Sequence, residues 1–149
     1  MEESMLTELY ARTRVTDVIQ RYASTIDTKQ FPALRQLFTD KARAVYNGDT
    51  ELIGGDAIVE WIKGATATKT WQHHLVSVYH PEVHGSEAHA LVYLISHQTD
   101  EAVPNDVLRM VSRYDINLVK DGDTWKIDRL NLVVGWVATD EMASLGADS

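Results

Sequence analysis

The chain has 149 residues, of which 44% are hydrophobic and 24% charged, so it holds enough apolar material for one domain with its own core. It contains no cysteine, which excludes disulfides, thiolate catalysis and cysteine-ligated zinc. The formal net charge is −8 and the basic residues are scattered, so neither nucleic acid nor an anionic membrane is expected as a partner.

The start, Met1-Glu2-Glu3, has neither the basic opening nor the apolar run of a secretory signal. No stretch reaches the ~20 apolar residues of a membrane span. The expected location is the cytoplasm. Residues 1–149 read as one domain, with a polar tail from about residue 140.

Val15, Val18, Ile19, Tyr22, Ala23 and Ile26 recur at spacings of three and four, one apolar stripe of a helix. The helix is expected from about residue 7 to residue 27. A short second helix follows Pro32, a residue suited to a first turn, with Leu34, Leu37 and Phe38 inward. "ARAVYNGDTELI" reads as a hairpin around the two-residue turn Asn47-Gly48. "GGDAIVEWIKG" reads as a third helix bracketed by glycines.

From Thr70 onward the pattern is strands. "WQHHLVSVYHPEV" is the first and "HGSE" a turn. "AHALVYLISHQT" follows, an apolar run expected to be buried on both faces. "DEAVPND" reads as a loop, "VLRMVSRYDINLVK" as a long strand, "DGDT" as a turn and "WKIDRLNLVVGW" as a last strand. A short helix is expected over residues 139–144. Helices first and a meander of antiparallel strands afterwards give an α+β class, with the helices packed on one face of a curved sheet. A pocket is expected between them.

All six histidines lie between His73 and His97. His73 and His74 are adjacent on a strand, so they point to opposite faces. Both faces are mixed, and periodicity alone leaves the inward histidine open. His74 and His97 lie about equally far from the turn at Gly85-Ser86, so they are expected to be cross-strand neighbours or nearly so. Asp27 ends the apolar stripe of the first helix, in the last turn, where the helix dipole disfavours a negative charge. It needs a compensating donor, and an opposed histidine supplies one. A carboxylate that holds a histidine fixes its tautomer and makes a directed general base. Asp27 is also compatible with a purely local role, an Asx turn with Thr28. No helical His-x-x-x-His pair occurs, because His80 and His84 fall on a strand and the turn after it, and no metal site is expected. Trp61, Trp71, Trp125 and Trp136 are read as core or interface, and His80, His84 and His89 as solvated.

The segments "RYASTIDTKQFPALRQLF", "TWQHHLV", "SHQT" and "WKIDRLNL", in this order and spacing, resemble the SnoaL-like branch of the NTF2-like superfamily. The resemblance is strongest to scytalone dehydratase, and it spans about Val15 to Trp136. It implies a cone-shaped α+β barrel, with helices closing a strongly bent, mostly antiparallel sheet around an apolar pocket. By the resemblance, Asp27, His74, His97 and Tyr46 fall on catalytic positions and Asn117 on a pocket asparagine. Arg129 falls on an arginine of the related lindane dehydrochlorinase, which shares the Asp–His pair. Tyr22, Ile26, Asp115 and His73 are the remaining substrate-side candidates. Ile26 stands where scytalone dehydratase has a tyrosine, and Asp115 where it has a serine. The implied activity is a cofactor-independent dehydratase, with an isomerase or polyketide cyclase, or a non-catalytic ligand-binding or assembly module, as alternatives. The implied ligand is a small apolar cyclic molecule, and the implied assembly a homodimer or homotrimer.

Overall fold

The computed structural model describes residues 2–143. Its elements are α1 (Glu2–Asp27), α2 (Phe31–Gln36), β1 (Phe38–Tyr46), β2 (Leu52–Ile53), α3 (Gly55–Thr66), β3 (Lys69–His84), β4 (Glu87–Asp100), β5 (Val103–Asp121) and β6 (Thr124–Glu141). The strands form one sheet in the order β2-β1-β6-β5-β4-β3. All neighbours are antiparallel except β1 and β6, which are parallel. Among the described residues the sheet does not close into a barrel, and β2 and β3 are its free edges.

The stripe of α1 behaves as its spacing dictates. Val15, Val18, Ile19, Tyr22, Ala23 and Ile26 are all buried, and α1 lies across β3. The helix begins earlier than the stripe, at Glu2, and its first turns are exposed. Leu34 and Phe38 are buried beneath α2, and Ile58, Val59 and Ile62 of α3 close the other side. The inner face of the sheet supplies Ala88, Ala90, Val92, Tyr114, Ile116, Leu118, Ile127 and Leu130 to the same core. This is the helix-on-sheet layering in which an apolar stripe and an apolar face bury one another.

Four further expectations differ from the structure. The Asn47-Gly48 turn forms, with positive φ at both residues and Asp49 N–H donating to the Tyr46 carbonyl. Strand pairing resumes only at Ala44–Leu52, because Asn47 is drawn to β6: its N–H donates to Leu132 and its side chain accepts from Val134 N–H. The β4–β5 connection is shorter than a loop over 100–106. Asp100 accepts the Ala102 N–H at 2.9 Å, the chain turns at once, and Pro104 sits in the bulge where it owes the ladder no N–H. β4 is buried on one face only: Val92 and Leu94 are inward, whereas Tyr93 and Ile95 stand exposed on the other. Residues 139–141 are strand, paired with β5, where a helix was expected; residues 144–149, with the rest of that helix and of the tail, lie outside the described residues.

Candidate active site

The helix end that carries Asp27 is fixed by backbone chemistry. Gln30 N–H donates to Thr25 O, and Lys29 N–H donates to Ile26 O. Lys29 takes φ 54. These are the two bonds of a Schellman motif with a left-handed residue after the cap. No Asx turn is needed to end the helix, and the Asp27 side chain is free for another partner. Lys29 Nζ also donates to Lys69 O at 2.8 Å, which ties this helix end to the start of β3.

Asp27 thereby reaches His74 on β3. His74 Nδ1 lies 2.5 Å from Asp27 Oδ1, and the backbone N–H of His74 donates to Oδ2 at 2.8 Å. Both carboxylate oxygens are acceptors here, so Nδ1 carries the proton. In the neutral ring Nε2 is then the unprotonated nitrogen. The side chains are only 10% and 15% exposed, which shields the pair from screening by solvent.

His74 lines a cavity of about 170 Å³ that lies between the sheet and helices α1 and α3. Both sides of it are largely apolar: Ile26, Trp61 and Ile62 from the helices, and Leu94, Met110 and Leu132 from the sheet. Trp61 stacks on Tyr46 with centroids 4.5 Å apart. Three phenols, Tyr22 of α1, Tyr46 of β1 and Tyr114 of β5, meet in the lining. Tyr22 Oη lies 3.0 Å from Tyr46 Oη and 3.4 Å from Tyr114 Oη. Three hydroxyls bring three protons and two bonds use two of them, so one O–H remains to donate to a ligand. Burial holds all three phenols in the neutral, donating form. It pushes Tyr22 and Tyr46 far up, and Tyr114 up to about 12, the last with a further push from the Asp27 charge. The polar remainder of the lining is Gln72, Ser96, Gln98, Ser112 and Thr66.

The sequence pattern of the SnoaL-like domain matches residues 7–131. The chain belongs to that family. The SnoaL-like fold recurs in solved structures at low identity. A type 2 hexachlorocyclohexane dehydrochlorinase has a TM-score of 0.85 at 13% identity, over 96% of this chain and 99% of that one. A protein of Novosphingobium aromaticivorans DSM 12444, provisionally named a scytalone dehydratase, has a TM-score of 0.81 at 17% identity over the whole of both chains. A ketosteroid isomerase-like protein from Erwinia carotovora atroseptica SCRI1043 has a TM-score of 0.73 at 14% identity, over 83% of this chain and 95% of that one. No curated protein matches in sequence.

Within this SnoaL-like domain, His74, Tyr46, Tyr22 and Ile26 line the cavity, and Asp27 joins them through its bond to His74. The other candidates do not. His97 pairs across the strands with His73, not with His74, whose partner is Ser96. The cause is the bulge between Tyr79 and Glu82, where His80 has φ 48 and Pro81 follows. One extra residue shifts the register by one, and a one-residue shift exchanges the faces. His73 and His97 therefore face outward together, His97 Nδ1 2.8 Å from His73 Nε2. Asp115, Asn117 and Arg129 share that outer face. Asp115 pairs with His89 at 3.1 Å, and Asn117 and Arg129 line a surface depression. Trp61, read as core or interface, is a cavity wall instead. Tyr114, Gln72, Ser96 and Ser112 were not singled out in the sequence. Tyr114 shares strand parity with Ile116 and Leu118, and Gln72 shares it with His74, and those were the available signals.

Proposed function

We propose that this domain is a lyase of the dehydratase type that needs no cofactor and removes water from a small cyclic hydroxy-ketone. The observation that carries the reading is the Asp27–His74 pair, whose unprotonated Nε2 belongs to a residue lining an apolar cavity. A binding site alone has no use for a shielded base held by a carboxylate.

In this scheme His74 Nε2 takes the proton α to the ketone. Asp27 stabilises the imidazolium so formed and keeps the ring oriented. The spare O–H of the Tyr22–Tyr46–Tyr114 chain donates to the carbonyl oxygen as negative charge builds there. The C–H electron pair becomes the new C=C bond, and the β C–O bond breaks. The imidazolium returns its proton to the departing hydroxide, and water leaves. His97 has no part, because it faces away from the cavity; one histidine serves first as base and then as acid. Isomerisation or cyclisation would share the first step and differ only in the product.

We also propose that the outer sheet face is covered by a second copy of this chain. Trp71, Leu75, Tyr79, Tyr93, Ile95 and Trp136 are all exposed there, and apolar patches of this kind mark interfaces.

The test is a panel of cyclic β-hydroxy-ketones, followed by the absorbance of the conjugated enone. Turnover by the native protein and its loss in His74→Gln is the expected result. Enone formation at equal rates in both proteins would overturn the assignment of His74.

A further inference from the structure

Gln72 is a polar side chain in an unusual position. It is 5% exposed, its Nε2 makes no hydrogen bond among the described residues, and it lines the cavity that His74 lines. A buried amide without a partner costs free energy comparable to a lost hydrogen bond. Nε2 is closed off as the amide stands, and a half-turn about the last torsion exchanges its oxygen and nitrogen, bringing the NH2 group to the cavity, where a ligand oxygen would recover the bond.

The position along the strand is informative. Gln72 and His74 are two residues apart on one face of β3, about 6.7 Å between Cα atoms. Gln72 is paired across the ladder with Gln98, which lines the same cavity. The phenols lie on the other side of His74: Tyr114 is level with Val92, and Val92 with Val78, four residues beyond His74 along β3. The proposed base thus stands between two sets of hydrogen-bonding groups, phenols on one side and carboxamides on the other.

We infer that Gln72 is a substrate-positioning residue: its amide donates to a second oxygen of the ligand, on the opposite side of His74 from the oxygen held by the phenols. The ligand class is an apolar ring system that carries two oxygen functions. This deepens the proposed dehydratase reading and rests on it for the role of His74, whereas the hydrogen bond to Gln72 is a matter of binding alone. Leu94 and Met110 of the sheet and Trp61 of α3 give the cavity apolar sides that suit a planar apolar body between the two oxygens.

The test uses indanone and its ring-hydroxylated isomers as probes, with native protein, Gln72→Met and His74→Gln. Methionine keeps the length and removes the donor. Binding is read by NMR, including the side-chain amide resonances of Gln72. At least one hydroxylated isomer is expected to bind native protein about tenfold more tightly than indanone. That isomer should displace the Gln72 amide signals, and its advantage should vanish in Gln72→Met. His74→Gln is expected to keep the advantage, so a failure of the chemistry and a failure of this inference give different results. The inference is overturned if no isomer gains, or if the gain survives in Gln72→Met with the Gln72 amide signals unmoved in native protein. Circular dichroism and thermal melts of Gln72→Met establish that the variant folds.

Discussion

Asp27→Asn separates the two tasks that the carboxylate performs. In the native chain Oδ2 accepts the His74 backbone N–H and Oδ1 accepts Nδ1–H. Asparagine offers one oxygen and one NH2 group. If the oxygen keeps the backbone N–H, the NH2 group faces Nδ1, which can then only accept. The ring proton moves to Nε2, and the base toward the cavity is lost. General-base assistance is worth about 10²–10⁴ in rate, so turnover is expected to fall at least about 100-fold, near 2.7 kcal/mol of barrier. The fold also loses stability. Two charge-assisted bonds of about 1.5–3 kcal/mol each become neutral ones of about 0.5–1.5, a difference near 2 kcal/mol in all. In a domain of this size that lowers Tm by about 4–8 °C. Long-range ¹⁵N correlation spectra report the tautomer directly, and calorimetry reports Tm. Native protein should show the His74 proton on Nδ1, and Asp27→Asn should show it on Nε2 with the fold intact. An unchanged tautomer together with native turnover would refute the reasoning.

Other expectations follow from the same geometry. Tyr22→Phe removes the hydroxyl that joins Tyr46 to Tyr114 and leaves two buried phenols without that partner; a loss of about 1–3 kcal/mol is expected, measured by urea unfolding. Tyr114 has its pKa raised by burial to about 12, so the folded state holds that proton more tightly than the unfolded chain. Stability should therefore be fully present below about pH 10 and fall as pH rises from 10 toward 12; Tyr114→Phe should flatten that decline in a series of melts. Gly55→Ala would place a methyl group 2.6 Å from the Arg35 guanidinium and 2.9 Å from Thr39 O. Arg35 is held by Asp40 and Asp56 at 2.6 Å each, so the clash is not relieved cheaply, and a loss of about 1–3 kcal/mol is expected by calorimetry. Leu75→Glu on the exposed outer face should shift the native oligomer toward monomer in sedimentation velocity; a native protein that sediments as a monomer would contradict the proposed self-association.

The helical half of this fold is legible in the sequence because one face of α1 is apolar and the other is not. Asp27 stood out for the same reason: it is a charge on the edge of that stripe, with no basic residue in the last turn to answer it. The strands are harder to read, and for one physical cause. Their outer face is nearly as apolar as their inner face, with Leu75, Tyr93 and Ile95 alternating against Val76, Leu94 and Val92. Alternation, the usual marker of inside and outside, is therefore weak. Counting back from the turn at Gly85-Ser86 then depends on an unbroken ladder. The bulge at His80-Pro81 breaks it, so His97 moves from beside His74 to beside His73. Asn117 and Asp115 follow the same outward parity on β5. Gln72 and Tyr114 become legible once His74 is known to face inward, because each shares its parity with an inward residue on its own strand.

The central claim is that His74 is the base of this cavity. The most direct measurement is deuterium incorporation at the α carbon of indanone in D₂O, followed by ¹H NMR for native protein and for His74→Gln matched in fold by circular dichroism. The claim predicts exchange well above the buffer rate with native protein, reduced at least about 100-fold in His74→Gln. Exchange that is equal in the two proteins, or absent while NMR shows indanone bound beside His74, would contradict it and leave the cavity as a binding site without this chemistry.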